Sequence, residues 1–150
     1  MHRIIQILSL SILIVLPSQV FAQSIDFGDD SSDWANDGEC DDRRFIGGGA
    51  ASDLDRDDIL RDATDCRELF EKGYILLVDE TYGRSITQCD ALYFGTNASE
   101  WANDGECDDP RFEGPKTTSV LLGAGLFSDA ADCKAACARG TIWLRTANPN

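Results

Sequence analysis

The chain has 150 residues, of which 27 are Asp or Glu and 13 are Lys or Arg, so its formal net charge is −14. This balance excludes a general affinity for nucleic acid or anionic lipid, because both require a basic protein surface. It suits a protein that takes up cations, although a surface kept soluble by self-repulsion has the same composition.

Residues 1–22 predict a signal peptide. His2 and Arg3 give a positively charged start, the run 4–15 is mostly apolar, and the chain then reads Val-Phe-Ala up to Ala22, a small-residue cleavage site. The apolar run is shorter than the roughly 20 residues that a membrane span needs, which argues against a permanent anchor. We therefore expect cleavage after Ala22, export to the periplasm or the medium, and no membrane insertion of the mature chain.

Residues 23–78, here called the first copy, predict one small module. A short apolar strand is expected at 25–27, followed by a polar loop as far as Gly47 and a variable stretch at 48–61. A helix is expected to begin near Asp62, because the first turn is acidic and Gly and Pro are missing until Gly73. A second strand at 74–78 would complete the module.

Residues 90–145, the second copy, repeat this pattern at an offset of 67 positions. Nine consecutive residues from Trp34 to Asp42 recur letter for letter from Trp101 to Asp109. The repeat predicts a strand at 91–94, a variable stretch at 115–128, a helix near Asp129 and a strand at 141–144. Residues 79–89 would be a linker and 146–150 a tail. The expected fold is therefore small, loop-rich α+β with two tandem homologous modules.

Six cysteines follow the predicted leader, and an even number in a short exported chain predicts a disulfide framework. The repeat pairs four of them within the copies, as Cys40–Cys66 and Cys107–Cys133. Cys89 and Cys137 remain, and the residues 67 positions before them, Ala22 and Phe70, both lack a thiol, as expected of a pair. Each bridge within a copy should contribute about 3 kcal/mol by restricting the unfolded chain.

Histidine is missing from the predicted mature chain, since His2 is the only one in the sequence. This excludes Ser-His-Asp and Cys-His catalysis and a histidine zinc site. Aromatic residues recur at fixed places in both copies, namely Phe27, Trp34, Phe45, Phe94, Trp101 and Phe112. We expect them to form the core, because large aromatics dominate small cores; the alternative is an exposed aromatic platform.

Acidic and amide residues cluster around the two bridges within the copies. Each copy has an Asn-Asp-Gly-Glu-Cys-Asp loop, and its partner cysteine ends an Asp-x-x-Asp-Cys segment. Calcium accepts about six to eight oxygen ligands in flexible geometry, whereas magnesium requires a strict octahedron and zinc prefers sulfur or nitrogen. The alternative is that these residues only cap a helix and make turns.

These segments resemble the calcium-binding half of the Notch-type LNR module, whose pattern is Asn-x-Gly-x-Cys-Asp, then Asp-Gly-x-Asp-Cys, with the two cysteines bonded together. The resemblance covers about 30 residues of each copy, and each copy keeps two cysteines where the family has six. It implies two calcium ions, one per copy. The implied ligands are Asn36, Asp41, Asp62 and Asp65 in the first copy and Asn103, Asp108, Asp129 and Asp132 in the second.

The function expected from these features is that of a secreted or periplasmic calcium-binding repeat protein that acts as a non-catalytic interaction module. Its partner would be an extracellular or periplasmic protein or polymer, contacted through the stretches 48–61 and 115–128, which differ most between the copies. One alternative is a small hydrolase that uses paired carboxylates. Another is a calcium-stabilised structural protein without a dedicated partner.

Overall fold

The computed structural model describes residues 24–149, so the predicted signal peptide and Asn150 lie outside the described residues. Within this range the fold is small α+β with three helices, α1 (Ala63–Glu71), α2 (Glu80–Ile86) and α3 (Ala130–Ala138). None of the described helices is long and apolar enough to cross a membrane.

Six short strands form three antiparallel pairs. The strands are β1 (Phe45–Gly47), β2 (Leu54–Asp55), β3 (Ile75–Leu77), β4 (Phe112–Glu113), β5 (Val120–Leu121) and β6 (Trp143–Leu144). Strand β1 pairs with β3 and β4 with β6, so each copy has one pair that joins the end of its acidic loop to the strand after its long helix. The third pair, β2 with β5, joins the two copies.

The helices α1 and α3 begin and end where the sequence predicts. Each follows a buried aspartate, Asp62 or Asp129, and each is followed within two residues by a glycine of positive φ, 75° at Gly73 and 68° at Gly140. Glycine adopts this left-handed conformation without steric cost, which allows the chain to reverse and enter the next strand.

Two expectations about the starts of the copies are wrong. Residues 25–27 and 91–94 are not strands, because no neighbouring backbone forms a ladder with them. They contribute side chains instead: Phe27 stacks on Phe45 with ring centroids 5.5 Å apart, and Phe94 stacks on Phe112 at 5.6 Å. The phenylalanines therefore attach each starting segment to its core without a sheet.

Each copy has its own hydrophobic cluster around its bridge. In the first copy Phe45 and Ile75 are fully buried beside Cys40 and Cys66. In the second copy the corresponding cluster contains Phe112, Ile142 and the Cys107–Cys133 bridge, and the Cys89–Cys137 bridge packs against it from residues 79–89. The two tryptophans expected in the core are exposed, Trp34 by 60% and Trp101 by 53%. The phenylalanines and the bridges already fill these small cores, so the larger indoles remain outside.

The copies meet through equivalent residues. In the β2–β5 pair Leu54 lies opposite Leu121, its own counterpart in the repeat, and both side chains are almost completely buried. An antiparallel pair centred on equivalent residues has local twofold symmetry, as in the isologous contact of a dimer. The variable stretches 48–61 and 115–128 therefore contact one another at this point.

Buried arginines fix the contact between the copies. Arg43 is 2% exposed; its Nε and Nη2 donate to the two carboxylate oxygens of Glu113, each at 3.2 Å, and its Nη1 donates to the carbonyls of Thr118 and Ser119. Burial lowers the pKa of Arg43, and Glu113 opposes that effect. Arg145 approaches from the other copy and donates to the Arg43 carbonyl. A desolvated guanidinium needs all of these acceptors, so the copies are held in one orientation.

Residues 79–89, which the sequence predicts as a linker, contain helix α2. A single 3₁₀ turn, Cys89–Ala91, begins at the last of these residues. Helix α2 packs on β6, where Gly83 comes so close that a Cβ atom would lie 2.4 Å from the Leu144 carbonyl oxygen. Arg84 lies over the Trp143 ring at 3.4 Å from its centroid. This segment is therefore packed against the second copy.

Candidate metal centre

Three disulfides staple the fold, and they are the pairs that the repeat predicts. Cys40–Cys66 and Cys107–Cys133 each span 26 positions, and Cys89–Cys137 spans 48. No described cysteine is free. Such bridges persist in oxidising compartments, so the protein belongs in an environment of that kind.

The aspartates before α1 and α3 do not cap their helices. Asp62 and Asp129 are fully buried, and neither side chain makes a capping hydrogen bond. Each reaches back to the acidic loop instead: the backbone N–H of Asp41 donates to Asp62 Oδ2 at 2.8 Å, and that of Asp108 donates to Asp129 Oδ2 at 3.0 Å. The main hydrogen bond of each carboxylate is therefore with the loop beside the bridge and not with its own helix, which a plain helix cap does not explain.

Four buried carboxylate oxygens near the bridges have no hydrogen-bond partner. Among residues 24–149 only five buried side-chain nitrogen or oxygen atoms are unpartnered, and four of them are Asp41 Oδ2, Asp62 Oδ1, Asp108 Oδ2 and Asp129 Oδ1. An unsatisfied buried polar atom costs roughly 1–3 kcal/mol, so native folds rarely keep one without a reason. Here the same two orphans occur at equivalent places in both copies.

The charges of these carboxylates are unfavourable in the ion-free fold. Burial raises the pKa of Asp41 to about 7, with a further increase from the nearby charge of Asp37, and burial raises the pKa of Asp62 to about 6. In the second copy burial raises the pKa of Asp108 to about 6 and also raises that of Asp129. A cation bound by such groups would offset both causes, because it would compensate for the lost hydration and neutralise the like charges.

The remaining predicted carboxylates close the acidic turns. Asp65 Oδ2 accepts the Gly38 N–H at 3.0 Å, and Asp132 Oδ2 accepts the Gly105 N–H at 3.2 Å. Each therefore ties its α-helix to the Asn-Asp-Gly turn of the same copy. One oxygen of each carboxylate is occupied in this way.

The two predicted asparagine ligands have a clear backbone role. Asn36 and Asn103 are exposed and have positive φ, 69° and 75°. Asparagine tolerates this left-handed conformation better than most residues, which explains its place one step before the Asp-Gly pair. That they also hold a metal stays a prediction.

Two groups of side chains lie close enough together to hold a metal ion. The ligand atoms of Cys40, Asp62 and Cys66 lie within 4.8 Å of one another, and those of the equivalent second-copy residues do so too. All of these sulfurs are in disulfides, which are poor donors compared with a thiolate. The useful ligand in each group is thus the aspartate. Among the described residues no three carboxylates come within that distance of one another.

Sequence reasoning missed a second pair of buried aspartates, Asp42 and Asp109. Both carboxylate oxygens of Asp42 accept from Arg44, and Asp42 Oδ2 also accepts the Leu60 N–H at 2.9 Å. The second copy repeats this arrangement with Asp109 and Arg111. These aspartates are fully satisfied and organise the loop. The repeated Asp-x-Arg spacing was the signal that could have revealed them.

Comparison with protein-family models, curated proteins and solved structures finds no match to this chain. The LNR resemblance therefore rests on the loop motif and its bridge. What the fold supports directly is coarser: a disulfide-stapled α+β protein with two groups that can hold a metal ion.

Proposed function

We propose that this is an exported calcium-binding protein made of two homologous modules, each holding one calcium ion, and that it acts by binding rather than by catalysis. The observation that carries the proposal is the pair of buried, unpartnered carboxylate oxygens found at equivalent positions in both copies. A bound cation would give these oxygens the partner that the described residues do not supply. The predicted signal peptide and the three disulfides support export.

Calcium suits the site better than other common ions. The donors are carboxylate oxygens without histidine or thiolate, and they are not closed into a tight cage, so a large ion with flexible coordination fits best. In the first copy the ion would bind Asp62 Oδ1 and Asp41 Oδ2. Asp65 and the amide oxygen of Asn36 would be the other ligands from the protein. Asp129, Asp108, Asp132 and Asn103 would do the same in the second copy.

Calorimetric titration of the oxidised mature protein with calcium, after removal of bound metal, tests the proposal. We expect two ions per chain, with Asp62→Asn and Asp129→Asn each losing one. Asp90→Asn, which changes an exposed carboxylate away from both sites, is the matched control and should keep two. At a free calcium concentration one hundred times the Kd, each occupied site should raise the free energy of unfolding by about 2.7 kcal/mol. No heat at millimolar calcium, or unchanged stoichiometry in both variants, would refute the calcium sites.

The second candidate is a carboxylate hydrolase, and one observation favours it: the raised pKa of Asp41 is what a general acid requires. Duplication of the same carboxylates in both copies favours binding instead. Turnover of a polysaccharide or ester substrate that is saturable and lost in Asp41→Asn would establish the hydrolase. Calcium uptake without turnover would support the binding protein.

A further inference from the structure

We propose that a groove in the first copy, here called the acidic groove, binds an arginine side chain of a basic protein segment. The groove has a volume of about 360 Å³. It is lined by one indole, that of Trp34, and by six carboxylates: Asp37, Glu39, Asp41, Asp53, Asp55 and Asp58. Val120 of the second copy forms part of its wall, and none of its lining residues is a lysine or arginine.

The carboxylates of the acidic groove are not closely paired with a cation, although Arg43 attracts Asp55 at longer range. None of them takes part in a salt bridge among the described residues, and those that accept hydrogen bonds do so from uncharged donors. Asp58 Oδ1 accepts the Ser32 hydroxyl at 2.6 Å, and Asp53 Oδ1 accepts the Gly123 N–H at 2.8 Å. Asp41 lines the groove, is only 7% exposed, and has an oxygen with no partner. The groove therefore presents unsatisfied negative charge around a buried acceptor.

The exposed indole specifies the shape of the cation. Trp34 is 60% exposed although it borders a groove, so its face is available to a ligand. A guanidinium group stacks on tryptophan and donates hydrogen bonds to carboxylates in its own plane, and it loses less hydration than an ammonium group. An arginine side chain matches both features of the groove at once.

The second copy provides an internal comparison. Its equivalent groove, about 270 Å³, keeps the tryptophan as Trp101 and the buried aspartate as Asp108. The charges of Asp104 and Glu106, the counterparts of Asp37 and Glu39, still act on Asp108, so the copies differ in the acids of the stretch 53–58. Leu122 and Gly125 occupy the positions of Asp55 and Asp58. The fold of the two grooves is similar while the charge differs, so recognition of a cation is expected in the first copy only.

Binding of a fluorescein-labelled hexa-arginine peptide, measured by anisotropy in EDTA, tests this inference. EDTA is used because Asp41 also belongs to the proposed ion site, so the result does not depend on whether calcium binds. We expect Asp55→Asn with Asp58→Asn to weaken binding about tenfold, and Trp34→Ala to weaken it about threefold. Both asparagines keep an acceptor for the local hydrogen bonds, so the fold should persist.

Two controls separate a groove from a generally acidic surface. Glu71→Gln with Asp90→Asn removes the same charge at exposed positions outside the groove, and Trp101→Ala removes the second indole. Both should change the affinity less than twofold. Equal losses in the two double variants, equal losses in the two tryptophan variants, or no binding by the parent protein would overturn the inference. Hexa-lysine bound more tightly than hexa-arginine would also overturn it.

Discussion

Glu113→Gln should destabilise the protein by about 2 kcal/mol through the contact between the copies. Glu113 accepts two bonds from Arg43, each at 3.2 Å, and the guanidinium is only 2% exposed. Glutamine keeps one acceptor oxygen but removes the charge and one charge-assisted hydrogen bond, which is worth roughly 1.5–3 kcal/mol. Because Glu113 itself is 24% exposed, the cost should fall below the roughly 3–5 kcal/mol of a fully buried pair.

Equilibrium urea unfolding with the disulfides intact and the calcium concentration fixed measures this free energy. The midpoint should fall while the m-value is unchanged. Glu68→Gln is the control, because its partner Lys72 and Glu68 itself are both more than half exposed, and it should cost less than about 0.5 kcal/mol. In about 1 M salt the Glu68 effect should disappear and most of the Glu113 effect should remain.

The first copy supplies a second test of the same reasoning. Ile46 stands where the second copy has Glu113, so Glu113→Ile is the change that makes the copies alike. The isoleucine side chain has no acceptor, so Arg43 would lose both of its bonds to Glu113. Glu113→Ile should therefore lower the unfolding free energy more than Glu113→Gln. If Glu113→Gln costs no more than the Glu68 control, the buried arginine does not hold the copies together and the reasoning fails.

Three further predictions concern the bridge, a backbone contact and pH. Replacing Cys89 and Cys137 by alanine should lower the unfolding free energy by about 4 kcal/mol, because the bridge closes 48 positions of the unfolded chain; a loss below about 1 kcal/mol in urea would contradict this. Gly95→Ala should lower Tm far more than Gly105→Ala: both have positive φ, but a Cβ at Gly95 would lie 2.0 Å from a backbone carbonyl oxygen, whereas nothing lies within 4 Å at Gly105. Calcium affinity should fall as the pH is lowered from 8 to 5, because the pKa of Asp41, raised by burial to about 7, makes the carboxylate protonated there. The unfolding free energy of the ion-free protein should fall as the pH rises through the same range, because an acid with a raised pKa binds more protons in the folded than in the unfolded state. Calorimetric calcium titration at several pH values measures the first trend, and Tm in the presence of a chelator measures the second. A constant affinity or a constant Tm between pH 5 and 8 would contradict the corresponding prediction.

The sequence by itself determined the features that depend on local or covalent rules. The 67-residue repeat predicted the Cys40–Cys66 bridge, which the structure confirms, because two copies of one small module are expected to form the same bridge within each copy. The helix after Asp62 and its end near Gly73 follow from first-turn acids and a left-handed glycine, which act within a few residues. The acids around the bridges were recognisable for the same reason, as a pattern that occurs twice.

Only the tertiary structure decided which of these residues face one another. Its position before a helix predicts that Asp62 is a helix cap, whereas in the fold its carboxylate accepts from the backbone N–H of Asp41, 21 positions away. Arg43 had no distinguishing local pattern, yet the fold buries it against Glu113, 70 positions further along the chain. Its size predicts that Trp34 lies in the core, but the phenylalanines and the bridge fill the small core and leave this indole exposed. Such outcomes depend on the volume and charge that distant segments bring to one place, and a single sequence does not encode that competition in any local pattern.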